Sequence, residues 1–186
     1  MQQTQLMNQF LIAMPSLADP NFAQTVTYVF QHDEEGAIGL MVNKALNIDM
    51  GEVLLHLDIK NTKPEIASIP VLMGGPVQRD RGFVMHKPVG AWKSTLHVNN
   101  GFAITTSRDI LEAIAENDGP RNLVVALGYA GWGPGQLERE ISENAWLSVP
   151  SDPDLIFNTP LEQRWEKATA LLGIDLKSLS HQAGHA

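Results

Sequence analysis

Between positions 128 and 135 the chain reads Gly128-Tyr129-Ala130-Gly131-Trp132-Gly133-Pro134-Gly135, four glycines in eight residues with one tyrosine and one tryptophan among them. A backbone this bare turns sharply and lets another group come close, while the two aromatic rings offer broad contact faces. The all-apolar run Leu123 to Leu127 leads in as a strand. A helical pattern leads out, with Pro134 suited to the first turn and Leu137 and Ile141 spaced i, i+4. The segment is therefore expected to be a glycine loop at a strand-to-helix junction. Either Trp132 packs into the core beneath a tight turn, or it stands with Tyr129 at the wall of a surface cleft.

A strand, a glycine loop and a helix are also the setting of a phosphate cradle. The fingerprints fail: a dinucleotide motif starting from Gly131 and Gly133 needs glycine where Gln136 stands, and no Gly-Lys-Ser/Thr follows for a P-loop. A Gly-x-Ser-x-Gly nucleophile elbow is absent too.

At 186 residues the chain fits one domain, and folding at this size buries roughly 70% of the unfolded surface. It contains no cysteine, which removes thiolate zinc sites, thiol catalysis and disulfides together and suits a reducing compartment. The net charge of −8 repels phosphate backbones, and the one basic cluster is Arg79-Asp80-Arg81. No lysine or arginine precedes Lys44, so the apolar start lacks the flank of a secretory leader, and runs such as Ala37 to Val42 are too short to span a bilayer. These features point to a cytoplasmic protein without membrane or direct nucleic-acid binding.

Strand and helix signals alternate along the chain. Strands are expected at Leu11–Met14, Thr25–Phe30, Ala37–Val42, Val71–Met73, Phe83–His86, Leu123–Leu127, Trp146–Val149 and Leu155–Phe157. In the second of these Val26, Tyr28 and Phe30 share one face and Thr25 and Thr27 the other, and His32 to Gly36 reads as a charged turn. Thr95 to Thr105 forms a hairpin around Asn99-Asn100-Gly101. Asp49 and Glu52 make a capping box for a helix with the stripe Met50, Val53, Leu54 and Leu57. Ser107, or Thr106 with Asp109, caps a helix with the stripe Ile110, Leu111 and Ile114. Thr159 is the expected N-cap, with Pro160 at N1, of a last helix that Gly173 stops. Hairpins mixed with helices indicate an α+β domain.

The candidate chemical groups are sparse. Of six histidines, His181 and His185 have metal-ligand spacing but lie in a terminal tail; no metal or cofactor is expected. His32 beside Asp33 and His86 at a strand end are the possible acid–base groups; a charged turn explains His32 equally well, and His86 reads first as a satisfied core-edge histidine. Glu138 and Glu140, two apart on a helix, cannot face one another. Gly74-Gly75-Pro76, followed by Arg79 and Arg81, reads as an exposed turn or as a grip for an anion.

Taken in order, several segments resemble the bacterial AlgH/YqgE family over nearly the whole chain. They are Leu11-Ile12-Ala13-Met14-Pro15 with Asp19 and Phe22, Gly36 to Asn43, Gly74-Gly75-Pro76-Val77, Arg81 to His86, Gly128 to Glu138, Trp146 and Ile156-Phe157. Ala45 stands where many members carry proline, and Met85 where leucine is usual. The resemblance implies a single α/β sandwich over residues 1–186, with a mixed, partly barrel-like, bifurcated sheet surrounded by helices. Residues 6–176 are expected to form the ordered core and 177–186 a flexible tail. The family carries the label of a transcriptional regulator without an agreed ligand or catalytic set, and this acidic chain shows no recognition helix.

The reading is a non-enzymatic regulatory or adaptor module acting through a protein partner. Its expected binding cleft comprises Pro15, Gly74, Gly75, Pro76, Arg81, Tyr129, Gly131, Trp132 and Gln136. The alternative is a small-molecule binder or enzyme at the same cleft, with Arg79 or Arg81 as anion grip and His32 or His86 as acid–base group.

Overall fold

A computed structural model describes residues 5–14, 19–61, 63–98 and 101–173. Pro15, the Asn99-Asn100 turn, His181, His185 and the expected tail lie outside the described residues. In chain order the first elements are strands β1 (Gln9–Ala13), β2 (Val26–Asp33), β3 (Gly36–Met41) and β4 (Ala45–Asp49), then helices α1 (Met50–His56) and α2 (Pro64–Ala67). Strands β5 (Pro70–Met73), β6 (Val77–Lys87), β7 (Thr95–His97) and β8 (Ala103–Thr105) lead to helix α3 (Arg108–Ala115). Strand β9 (Asn122–Trp132), helix α4 (Gln136–Ser142), strand β10 (Trp146–Pro150), helix α5 (Pro153–Phe157) and helix α6 (Arg164–Leu171) complete the chain, as the mixed α+β class requires.

The chain forms two compact units, Met1–Asn43 with Ala130–Ala186, and Lys44–Tyr129. The first is built on the antiparallel order β10-β1-β2-β3, extended by the end of β9 through Ala37↔Trp132 and Gly39↔Ala130. Strand β2 has a partner on each edge, and Thr25, Val26, Thr27, Tyr28 and Val29 are all buried. The expected two-face alternation is therefore replaced by burial on both faces, as in a central strand. Burial also pushes the Tyr28 phenol well above its usual range, and the phenol donates to Asn8 Oδ1 at 2.5 Å.

One carboxylate organises the core of this unit. Glu140 Oε2 accepts from the indole Nε1 of Trp132 at 2.8 Å and of Trp146 at 2.9 Å, while Oε1 accepts from the Gln136 amide at 3.1 Å. The two indoles meet edge to face at 5.9 Å, and Phe22 packs on both. Glu138 reaches a different partner, His32 Nε2, at 2.5 Å. Spacing alone keeps the two glutamates apart, and each is claimed by a separate neighbour.

The Lys44–Tyr129 unit has a mixed sheet. Strand β5 runs parallel to β9 (Val71↔Val125) and antiparallel to β4; β6 lies antiparallel on the other edge of β9, followed by β8 and β7. Helix α1 starts where expected: Asp49 has extended backbone, and its side chain accepts from Glu52 N at 3.2 Å. Met50 and Leu54 of α1 and Ile110 and Ile114 of α3 enter the same core as Val71, Val84 and Val125.

Several local expectations are corrected. Residues 128 to 132 are the end of β9, not a loop, because β6 and β3 supply ladder partners for Tyr129 to Trp132; the turn is confined to Gly133–Gly135. Arg79 to Arg81 belong to β6 and His32 to β2, so neither lies in a turn. Leu155 to Phe157 are helical, not a strand, because Asp152 caps the Asp154 amide at 3.0 Å and Pro153 opens the first turn. Thr159 is no N-cap. Pro160 stays extended at ψ 141, a 3-10 turn begins at Leu161, and the Thr159 hydroxyl donates to Asp154 O and accepts from Lys167. Helix α6 is tied down by Arg164, which donates to Val42 O at 2.7 Å and Thr159 O at 3.0 Å.

Glu140→Ala strips the acceptor from two indole donors and an amide. Its expected cost is about 2–4 kcal/mol of unfolding free energy, since an unmet buried donor costs roughly 1–3 kcal/mol. Urea denaturation of Glu140→Ala beside Glu140→Gln, which keeps one acceptor and should lose less, measures it. A loss below about 1 kcal/mol would show that the carboxylate is not the organising contact.

Candidate functional site

The Lys44–Tyr129 unit contains a cleft of about 550 Å3. Its floor is the sheet, through Phe83 and Val84 of β6 and Val125 and Leu127 of β9. Helix α1 supplies one wall through Val53, with Leu57 at its C-cap, helix α3 another through Leu111, and Ile48 of β4 also lines the cleft. Polar groups gather around this apolar interior: Glu52 and His56 on α1, Asp80 on β6, and Thr105 to Arg108 at the entry to α3.

The position of Asp80 follows from a break in register. Val77 pairs with Tyr129 and Gly82 with Leu127, so residues 78 to 81 of β6 face the single residue Gly128. The extra residues arch outward as a large bulge, with Gln78 at φ 45. Gly128, at φ 77, permits the arch: a Cβ there would lie 2.3 Å from Gly75 O and 3.4 Å from Arg79 Cα. The sequence signal of glycine at this point thus has a specific cause, the close approach of the Gly74–Pro76 turn and the bulge.

The arch brings some of the expected site residues together. Gly74 N donates to Leu127 O at 2.8 Å. Arg81 lies over the Phe83 ring at 5.3 Å, and Phe83 meets Tyr129 edge to face at 6.1 Å. Tyr129 is half-buried. In the other unit Gly131 is exposed on β9, Trp132 is 6% exposed within the aromatic core, and Gln136 accepts from Gly133 N while donating to Glu140. Trp132 thus follows the core alternative.

The residues that line the cleft were not singled out from sequence as a site. Val53, Leu57 and Leu111 read there as inward stripe, yet they are half-buried where Met50, Leu54 and Ile110 are fully buried. The available signal was the breadth of the apolar arc on α1, wider than a seven-residue helix needs for one core contact.

The entry to α3 is saturated by its own groups. Asp109 accepts from the Lys93 and Ile110 amides and from the Ser107 hydroxyl. That Ser107 bond, above all, holds its carboxyl below the usual range. Arg108 is paired with Glu112 at 2.8 Å. Glu52, His56 and Asp80 are exposed and have no side-chain partner among the described residues.

Neither histidine considered from sequence reaches the cleft as a free acid or base. His32 Nδ1 accepts from Leu6 N at 3.1 Å, so Nε2 carries the proton and donates to Glu138. Burial pushes the Glu138 carboxyl up, but its own backbone amide and His32 outweigh that and leave it lowered.

His86 is fully buried. Its Nδ1 donates to Pro88 O at 3.1 Å, so in the neutral ring Nε2 accepts from the Thr105 hydroxyl at 2.7 Å. Thr95 must then divide its one proton between Thr105 at 2.8 Å and Trp92 O at 3.0 Å. An imidazolium would complete this chain, yet desolvation dominates and holds the His86 pKa below 6.5, against the Pro88 carbonyl and together with His97. Among the described residues no three His, Asp or Glu side chains cluster as a metal site.

Fold and cleft define a mixed α+β protein with a helix-walled apolar cleft over its sheet. The sequence profile described as AlgH-like (DUF179) matches residues 10–177. A UPF0301 protein of Thioalkalivibrio sulfidiphilus is 55% identical and one of Nitrosococcus oceani 52% identical, each over 96% of both chains. The solution structure of the AlgH protein from Pseudomonas aeruginosa is similar over 100% of both chains, at 49% identity and a TM-score of 0.81. A Corynebacterium diphtheriae protein, 20% identical over 89% of this chain and 86% of its own with a TM-score of 0.68, shares the fold. The chain belongs to the AlgH-like family. Among its described residues no helix is long and apolar enough to cross a membrane.

The depressed His86 pKa makes stability pH-dependent with a defined sign. Above 6.5 His86 is neutral in both states; as pH falls, the unfolded chain takes up the proton first and stability is lost down to the lower folded value. Urea midpoints should therefore fall between about pH 7.5 and 5.5, and His86→Gln should flatten that slope. An unchanged slope in the variant would assign the dependence to another group.

Proposed function

We propose that the protein is a non-enzymatic regulatory or adaptor module of the cytoplasm, and that a protein partner inserts apolar side chains into the cleft of the Lys44–Tyr129 unit. The cleft itself carries this reading: an apolar floor and walls within a ring of polar groups is the usual form of a recognition pocket. Leu55, on the helix that forms one wall, is 81% exposed. Apolar surface outside the cleft favours a partner over a fully enclosed small molecule. Regulation of transcription, the role the family label names, works in this reading through that contact, since a net charge of −8 opposes DNA.

Nile red, a neutral apolar dye, should bind with enhanced fluorescence. Leu111→Glu, which sets a carboxylate in the wall, should weaken it about ten-fold or more, the effect of a lost anchor worth roughly 1.4 kcal/mol or more. In cells, a photo-crosslinking side chain at position 55 should yield a protein adduct that Leu111→Glu abolishes. Dye binding without any adduct would favour the small-molecule reading. No dye binding at all would remove the cleft as a site.

A further inference from the structure

The mouth of the cleft is asymmetric in charge. The Arg108 guanidinium is engaged by Glu112, and that of Arg81 lies over the Phe83 ring. The carboxylates of Glu52, on α1, and Asp80, on the β6 bulge, are exposed at the cleft and have no basic partner among the described residues. Of the charged residues that line the cleft, Glu52 and Asp80 are acidic and Arg108 is basic, an excess of one negative charge, and Arg108 is already paired with Glu112. His56, also at the mouth, adds an imidazole and no fixed anion-binding group.

The bulge is what places Asp80 there. In an unbroken ladder Gly128 would face one residue of β6; here four residues do, and of the exposed run Arg79 to Arg81 it is Asp80 that lines the cleft. A strand distortion that costs ladder bonds and sets a lone carboxylate at a pocket mouth is a common device for aiming a recognition group.

We propose that the segment recognised by this cleft is a basic amphipathic peptide of the partner, with an apolar side chain on the floor and lysine or arginine side chains held by Glu52 and Asp80. The inference rests on the reading of the cleft as a partner site and adds the partner's chemistry. Rim charges of this kind set orientation and association rate more than final affinity, so the preference for a basic peptide is strongest at low ionic strength.

Fluorescence anisotropy with two labelled helical peptides tests it, one of leucine and lysine and one of the same pattern in leucine and glutamate, each also used to displace Nile red. The lysine peptide should bind at least about ten-fold more tightly in low salt, and added salt should erode the difference. The double variant Glu52→Gln/Asp80→Asn should reduce that preference several-fold and leave Nile red binding intact. Glu34→Gln/Glu35→Gln removes the same charge from a turn in the other unit and controls for the net acidity; it should keep the preference.

Equal binding of both peptides, equal losses in the two double variants, or dye that neither peptide displaces would each overturn the inference while the cleft stands. Failure of the dye to bind the unaltered protein would overturn the cleft reading itself.

Discussion

Everything proposed for the cleft depends on the close approach at Gly128. A carbonyl oxygen lies 2.3 Å from where any side chain would begin, so only glycine admits the Gly74–Pro76 turn and the arch of β6 beside it. With that approach β6 can slip three residues against β9 and resume its ladder at Gly82, and Phe83 and Val84 return to the sheet as the cleft floor. The backbone conformation, at φ 77, adds a second reason for glycine at the same place. One missing Cβ thus governs both the strand irregularity and the position of the one carboxylate that the sheet itself offers to the opening.

The first unit solves a different problem, that of burying polar atoms. Four of its buried polar side chains are matched to specific partners, Glu140 for the Trp132 and Trp146 indoles, Asn8 for Tyr28, and Leu6 N and Glu138 for His32, whereas the Trp165 indole and the Thr27 hydroxyl have none among the described residues. Helix α4 carries both glutamates, so its docking is specified by hydrogen bonds as well as by Leu137. Buried polar groups matched in this way penalise alternative packings, in which the same donors would go unmet.

Much of this was legible in the sequence. The strands at β1, β3, β5 and β10, the α1 cap at Asp49 and the apolar stripes of α1 and α3 follow from periodicity and capping chemistry that act within a few residues. The misreadings have two causes, tertiary partners that local patterns do not reveal and competing local partners within a few residues. Residues 128 to 132 look like a loop until β6 and β3 provide ladders, and glycine there serves close approach and not a turn. Leu155 to Phe157 carry an apolar run too short for periodicity to decide. Thr159 had the right chemistry for a cap, but Lys167 and the Asp154 carbonyl took its hydroxyl. For the cleft, sequence showed the helices and strands but not the gap between α1 and α3, because a half-buried valine and a buried one look the same in a pattern.

The edge-to-face contact of Trp132 and Trp146 has an optical consequence. Two indoles fixed 5.9 Å apart and 81° between planes, with both N–H groups on one carboxylate, form a coupled pair of chromophores in a rigid asymmetric setting. Such a pair gives the Met1–Asn43 and Ala130–Ala186 unit its own near-ultraviolet circular dichroism, whereas Trp92 is the one indole of the Lys44–Tyr129 unit. The chain therefore carries separate built-in reporters for its two compact units, and melting of one can be watched spectroscopically against the other without any added label.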